Sequence, residues 1–208
     1  MPSAEPPHAH ATFVSIERVA VHDAAAAARV IDDATTRGSV FRATEGFLGD
    51  QIHQSADHHT VIHRVEWASE AAAAASGIRA VSAFLGWTAP ALHGPNDTDV
   101  PGVASLATRH LRGRESYDAL LALMAQSGAW KRNFPGFIFA IPHLGLDGRT
   151  FVMYTAWVDH SAYRAWISDP RLSVGQEEIA RLEVAPPEYL LCEIVTNSHR
   201  AIRGPSRT

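Results

Sequence analysis

The chain has 208 residues, 46% of them hydrophobic, and a net charge of −4 at neutral pH. This acidic balance argues against a nucleic-acid partner, because phosphate binding needs a cluster of Lys and Arg side chains. The single cysteine, Cys192, excludes a disulfide framework, and no run approaches the roughly 18 apolar residues of a membrane span, so we expect a cytoplasmic protein.

The sequence contains one long internal repeat. Residues 13–75 align onto residues 103–165 at a constant offset of 90 without a gap, and six of the 22 positions between Gly46 and Trp67 are identical. A repeat of this length exceeds the roughly 20–50 residues of a solenoid unit. We therefore interpret the chain as a small domain that occurs twice, with predicted bounds of 12–97 and 98–197.

Both halves show the same succession of apolar patterns and turns. The elements predicted for the first half are a strand over Phe13–Val19, a helix over Asp23–Ser39, strands over Phe47–Gln54 and Thr60–Trp67, a helix over Glu70–Ala83 and a strand over Ala89–Gly94. Those predicted for the second half are Val103–Arg109, Glu115–Trp130, Phe137–Leu144, Thr150–Trp157, His160–Trp166 and Tyr189–Val195. Ser69 and Asp159 are predicted to cap the second helix of each half.

The order β-α-β-β-α-β predicts an α+β fold of two tandem ferredoxin-like domains. A stretch rich in Pro, Gly and Asp, His93–Gly102, is predicted to link them. Each sheet would carry helices on one face only, so the two bare faces can pack together. We therefore predict an intrachain dimeric α/β barrel that is closed through the strand faces bearing Ile62, Arg64, Val152 and Tyr154.

Four segments at corresponding positions of the two halves resemble a known family. They are Glu45–Leu48 and Trp67–Glu70 in the first half, and Phe134–Phe137 and Trp157–His160 in the second. A Gly-Phe pair before a strand, and a Trp at the end of the next strand, are similar to the antibiotic biosynthesis monooxygenase domain. The resemblance extends over nearly all of residues 12–196.

The resemblance implies an oxygenase of secondary metabolism. Tandem members of the family look like enzymes that hydroxylate aromatic polyketides, including angucyclines, convert them to quinones or open their rings with O2. It implies no metal and no heme, and either no tightly bound cofactor or reduced flavin (FADH2 or FMNH2) as a diffusible cosubstrate supplied by a flavin reductase. Single-domain relatives are homodimers; whether this chain also dimerises is left open.

The family places its cavity on the face of the sheet that carries the Trp. Strict alternation along the third strand assigns His63 and Val65 to that face with Trp67. The same alternation along the second strand predicts further cavity residues, namely Phe47, Gly49, Gln51 and His53, and His143 in the second half. His63 is the predicted general base for a phenolic or α-carbonyl proton. The alternative is a core histidine that bonds a backbone carbonyl, and for His53 and His143 the repetition favours a structural role.

Trp67, Trp157 and Tyr163 are the other predicted catalytic residues. The resemblance implies that the Trp indole N–H holds a substrate oxygen, although packing at a strand end explains both Trp residues equally well. Tyr163 matches a ligand-facing Tyr of the family, and the first half has Ala73 there. Single-domain relatives have Asn at the position of His63. This difference favours a variant of the family's reaction in which His63 acts as a base.

The first half is the predicted binding cavity because its side chains are small. Gly49, Ser15 and the run Ala71–Ala75 leave room for a planar polycyclic ligand. A heme-degrading relative would have a His at the positions of Gly77 and Ile167, so the sequence argues against heme degradation. The twelve His residues show no metal-ligand spacing, which argues against a metal enzyme. Two alternative functions stay open. They are a cyclase or isomerase without redox chemistry, and a stress-response or association protein of the same fold.

Overall fold

The computed structural model describes residues 12–79 and 83–199. Contacts divide the chain into two compact units. Unit 1 comprises the residues up to Thr88 together with those from Val195 onward, and unit 2 comprises Ala89–Ile194. The predicted domain bounds of 12–97 and 98–197 stay a prediction.

Unit 1 is a four-stranded antiparallel sheet with two helices. Its elements are β1 (Phe13–Ala20), α1 (Ala24–Phe41), β2 (Phe47–Ser55), β3 (Thr60–Trp67), α2 (Glu70–Ala75) and β4 (Ala83–Thr88). The strand order β4-β1-β3-β2 is the ferredoxin-like order.

Unit 2 repeats this arrangement. Its elements are β5 (Leu92–His93), β6 (Val103–His110), α3 (Arg114–Lys131), β7 (Phe137–Gly145), β8 (Thr150–Trp157), α4 (His160–Ile167), a 3₁₀ turn (Pro170–Ser173), α5 (Gln176–Leu182) and β9 (Glu188–His199). The order β9-β6-β8-β7 matches that of unit 1, and β5 is added beside β7. The end of β9, from Val195, belongs to unit 1. The predicted α+β class with two ferredoxin-like repeats is confirmed.

Side-chain caps begin the helices where the sequence predicts. Asp23, Ser69 and Asp159 have extended backbones, and their side-chain oxygens accept hydrogen bonds from the amides three residues later, at 2.6, 3.1 and 2.8 Å. Each cap satisfies one amide that lacks a partner in the first helical turn. The two predicted caps at Ser69 and Asp159 are confirmed.

The second half of unit 1 differs from the prediction. Helix α2 ends at Ala75, and Gly77 has a φ of +84°, so the predicted helix to Ala83 is wrong; residues 80–82 of that range lie outside the described residues. The closing strand is β4 rather than Ala89–Gly94. Trp87 of β4 packs edge-on against Phe13 at 4.9 Å, which explains why the apolar run before Thr88 pairs with β1.

Each unit has its own buried core on the helix side of its sheet. In unit 1, Trp67 packs with Phe41, Phe47 and Val65. In unit 2, Trp157 packs with Phe137, Ala140 and Tyr163, among other residues. On the opposite strand faces, the side chains predicted to close a barrel, Ile62, Arg64, Val152 and Tyr154, are all buried. Among residues 12–79 and 83–199, no helix has the length and apolar character needed to cross a membrane.

Candidate active site

A β-bulge in the second strand of each unit decides which side chains face the helices. In unit 1, Phe47 pairs with Trp67, but the next residue of β3, Glu66, pairs with Gly49. Leu48 is therefore an extra residue in β2. The same shift occurs in unit 2 between Phe137 and Phe139. An extra residue reverses the alternation of side chains in the rest of the strand.

The bulge changes the predicted lining of the cavity. Gln51 and His53 pair with Arg64 and Ile62, so they lie on the face opposite Trp67. The Gln51 side-chain oxygen accepts a hydrogen bond from Arg64 at 3.2 Å there. Their predicted placement on the Trp face is wrong, because strict alternation of side chains does not hold through the bulge.

Two further placements change for the same reason. Gly49 pairs with Glu66, and His143 of unit 2 pairs with Val152, so neither faces the helices. Upstream of the bulge the prediction holds. Phe47 lies with Val65 and Trp67 in the helix-side core of unit 1.

The bulge brings Asp50 into contact with His63. The Nε2 atom of His63 lies 3.1 Å from Oδ2 of Asp50, and both side chains are 2% exposed. The second carboxylate oxygen of Asp50 accepts a hydrogen bond from the Ser198 hydroxyl at the end of β9. Arg42 approaches the same oxygen to 3.6 Å and donates to the Ser198 hydroxyl at 3.1 Å. Asp50 thus connects the ring of His63 to a polar network at the edge of unit 1.

The Asp50 carboxylate is held in its charged form. Burial alone would raise its pKa, but the hydrogen bonds from His63 and Ser198 and the charges of His63 and Arg42 outweigh burial, so the pKa lies below its ordinary value. A carboxylate can only accept a hydrogen bond, so Nε2 of His63 carries the proton in this pair. When the ring carries this one proton, its Nδ1 atom is the basic nitrogen.

The surroundings of His63 leave that basic nitrogen available. Nδ1 is buried and makes no hydrogen bond within the described residues. The Phe41 ring stacks on the imidazole with a centroid distance of 5.9 Å and an interplanar angle of 15°. Gly38 of α1 permits the approach of Asp50, because a Cβ there would lie 2.4 Å from Oδ2. A fixed imidazole with one oriented and one unused nitrogen is the arrangement of a general base.

The two strand-end Trp residues are already hydrogen-bonded. The indole N–H of Trp67 donates to Ser15 at 3.1 Å, and that of Trp157 donates to Ser105 at 3.2 Å. Both rings are fully buried. These contacts match the packing alternative, and a substrate oxygen could use either indole N–H only by replacing the serine.

Unit 2 lacks the Asp-His pair. Ala140 and Met153 stand at the positions that Asp50 and His63 occupy in unit 1. Tyr163 is instead present, 8% exposed, with its ring 6.0 Å from that of Trp157. Burial, followed by the neighbouring Tyr189 and Cys192, raises the pKa of the Tyr163 hydroxyl, which keeps it protonated at neutral pH. Unit 2 therefore offers a neutral donor where unit 1 offers a base.

Sequence reasoning missed Asp50, although a signal was present. Asp is depleted in strand interiors, and the repeat aligns Asp50 with Ala140. A charged residue at a position where the other half has a small apolar one indicates a local function. In the described part of the chain, no three His, Cys, Asp or Glu side chains cluster in a way that could hold a metal ion.

His53 supplies a stability prediction. It is fully buried, and its pKa is lowered to about 3 by burial and by the charges of Arg64 and His63. In the unfolded chain its pKa is about 6.5, so below that pH the unfolded state binds the proton first. We expect the free energy of unfolding to fall as the pH drops from about 6.5 towards 3, with a contribution of up to about 1.4 kcal/mol per pH unit.

Chemical denaturation at a series of pH values measures this dependence. His53→Gln should flatten it relative to wild type, and His59→Gln, on an exposed turn residue, should not. Equal slopes for wild type and His53→Gln would contradict the assignment of this proton to His53.

The chain is similar to known proteins in part of its sequence and in its fold. No protein-family profile matches it. It is 35% identical over 63 residues to the tetracenomycin-F1 monooxygenase of Streptomyces glaucescens, a match that covers 30% of this chain and 54% of that protein. The chain thus spans about half the length of this curated relative.

Solved structures extend the similarity to the whole fold. The structure of an anthrone oxidase-like protein matches with a TM-score of 0.73 over 97% of this chain and 98% of its own, at 13% identity. A ferredoxin-fold protein from Listeria monocytogenes, related to antibiotic biosynthesis monooxygenases, matches with a TM-score of 0.58 over 88% of this chain and 95% of its own, at 12% identity. At these identities the similarity establishes the fold alone.

Proposed function

We propose that this chain is a member of the antibiotic biosynthesis monooxygenase family and an oxygenase acting on an aromatic polyketide intermediate. The observation that carries the proposal is the buried Asp50–His63 pair with its unused Nδ1. The partial sequence match to a monooxygenase named for tetracenomycin F1 supports the substrate class. The reaction would take place in the cytoplasm.

The first step of the proposed reaction is removal of a proton from the substrate. A phenolic O–H, or a C–H next to a ring carbonyl, faces Nδ1 of His63 and transfers its proton there. Asp50 accepts the hydrogen bond from Nε2 throughout and stabilises the imidazolium that forms. Because the His63 side chain is 2% exposed, the substrate reaches Nδ1 only when neighbouring side chains move apart. The product of this step is an electron-rich aromatic anion.

The second step is oxidation of that anion by O2. When a ring methylene becomes a carbonyl, one oxygen atom enters the substrate and the other leaves as water with the two hydrogens of the methylene. This conversion to a quinone balances without any further reductant. Hydroxylation of a ring C–H needs two more electrons, which reduced flavin from a reductase would supply. We favour quinone formation because a single base suffices for it.

Oxygen uptake with an anthrone tests the proposed function. Dithranol would be incubated with the protein, with and without chemically reduced FMN, and reactions lacking protein would correct for spontaneous oxidation. We expect one O2 consumed for each quinone formed, without flavin. A strict requirement for reduced FMN would favour hydroxylation. Product without O2 uptake would indicate a cyclase or isomerase, and no turnover with any anthrone would favour an association protein.

A further inference from the structure

A groove on the surface of unit 1 takes no part in the proposed reaction. It lies between the end of β1 and helix α1 and has a volume of about 350 Å³. Its lining includes four aliphatic side chains, those of Val19, Val21, Ala26 and Val30. Val19 is 36% exposed, and Val30 is half-buried. The groove is thus an apolar surface that stays open in the described part of unit 1.

The internal repeat shows what covers the same surface in unit 2. At the constant offset of 90, the counterpart of the groove is built around Leu111 and Leu120, which are 1% and 0% exposed. Helix α5 packs against α3 there and contributes Ile179 and Leu182 to the same core cluster. One copy of the fold therefore covers this surface with an amphipathic helix.

The end of α5 is also hydrogen-bonded to the strand end that borders this surface. The amide of Arg112 donates to the carbonyl of Leu182 at 2.9 Å, and the carbonyl of His110 accepts from the amide two residues after Leu182 at 2.8 Å. The corresponding backbone groups of unit 1 belong to His22 and Ala20, and neither makes a corresponding bond among the described residues. A segment that lies in the groove of unit 1 can use both groups.

In the described part of unit 1, no helix corresponds to α5. Unit 1 connects α2 to β4 through residues 76–82, of which 80–82 lie outside the described residues, whereas unit 2 has residues 168–187 at this place. The terminal segments of the chain do not have the sequence of an amphipathic helix. Met1–Ala11 contains three prolines, and residues 200–208 contain three arginines and a Gly-Pro pair. An occupant of this type must therefore come from another molecule.

The charge at the rim of the groove favours an acidic occupant. Arg29 is exposed and makes no salt bridge within the described residues. Its charge acts on Asp23, a carboxylate that already caps α1. Two other charged residues of the lining, Asp33 and Arg37, pair with each other, with Oδ2 and Nε 3.0 Å apart. Helix α5 of unit 2 has two acidic residues in its first turn, Glu177 and Glu178.

We propose that the groove of unit 1 docks an amphipathic helix of another protein. This helix has the pattern of α5: two aliphatic residues three positions apart, preceded by acidic residues in the first turn. Its aliphatic side chains pack against α1 and the end of β1, and its carboxylates face Arg29. The groove is separate from the His63 site, so the proposal does not depend on the oxygenase chemistry.

A peptide with the sequence of α5 tests the proposal. The probe is a fluorescein-labelled peptide of residues 175–186, held helical by a hydrocarbon staple between positions 176 and 180, which are exposed in unit 2. A control probe carries Ile179→Asp and Leu182→Asp. Fluorescence anisotropy measures binding to the full chain. We expect the control probe to bind at least about tenfold more weakly, because it loses the burial of two aliphatic side chains.

Substitutions in the protein locate the binding. Val19→Asp places a charge on the apolar surface and should weaken binding of the probe about tenfold or more. Val40→Asp, at a 64% exposed valine of α1 outside the lining of the groove, is the matched control and should change the affinity less than about twofold. Arg29→Glu should weaken binding about threefold, because it repels the acidic first turn of the probe. Thermal unfolding confirms that each variant is folded.

Other occupants give different results. Equal affinities of the two probes, or of wild type and Val19→Asp, would overturn the proposal. Sedimentation equilibrium that shows a dimer of the chain, dissociated by Val19→Asp and unaffected by Val40→Asp, would assign the groove to a second copy. Tighter binding of the probe after removal of residues 1–11 or 200–208 would assign it to a terminal segment of this chain. Each of these two results would also overturn docking of another protein.

Discussion

His63→Ala should lower turnover of an anthrone by roughly 10²–10⁴-fold, the usual contribution of a positioned acid–base group. The variant removes Nδ1, the only basic nitrogen that the Asp50–His63 pair presents to a ligand. The buried Asp50 carboxylate would keep its bonds to Ser198 and Arg42, so the unit should remain folded. Steady-state quinone formation measures the loss, and thermal unfolding confirms the fold.

Two further variants locate the chemistry. His59→Ala changes an exposed histidine of the same unit and should retain full activity. Tyr163→Phe removes one hydroxyl from unit 2 and keeps the ring, so it should have little effect if unit 1 carries the reaction. Loss of activity in Tyr163→Phe with near wild-type activity in His63→Ala would assign the reaction to unit 2 and refute the base.

Asp50→Asn should lower turnover roughly 10- to 1,000-fold, because the amide has nearly the same size but lacks the charge that fixes the ring and stabilises the imidazolium. Asp50 acts through His63 and is a positioning residue. Its loss should reduce kcat more than it changes KM. Asp32→Asn, at an exposed position of α1, is the matched control and should leave turnover unchanged.

A spectroscopic signature separates positioning from simple destabilisation. ¹⁵N chemical shifts of His63 report which ring nitrogen carries the proton. Wild type should be protonated at Nε2, whereas Asp50→Asn should contain both tautomers, because an amide can either accept a hydrogen bond from Nε2 or donate one to it. If the variant keeps a pure Nε2 tautomer and full activity, Asp50 has no part in positioning the base.

Much of the fold follows from the sequence because its determinants are local. The gapless repeat predicts two equal units, and Ser69 and Asp159 mark helix starts through their own side chains. The hairpin strands β3 and β8 were predicted with their observed bounds. Helix α2 was predicted too long, since a run of alanines favours a helix and says little about where Gly77 ends it.

The candidate site was only half predictable. His63 could be placed on the helix side because β3 is regular. Asp50, its partner, could not, because the bulge at Leu48 depends on how β2 pairs with β3. Neither that residue nor Ile138, which corresponds to it in unit 2, differs from an ordinary strand residue. A register shift arises from tertiary pairing, and no local pattern of apolar residues encodes it.

The bulge has a consequence for how enzymes of this architecture could diversify. Deleting Leu48 would restore the regular pleat and turn the downstream strand over as a block. Gln51 and His53 would then face the helices, while Asp50 would point away from His63. A loss of one codon would thus exchange a whole set of interior polar groups, an outcome that several point substitutions would be needed to reproduce. Insertions or deletions in this strand can therefore change the chemistry of the site while the fold stays the same.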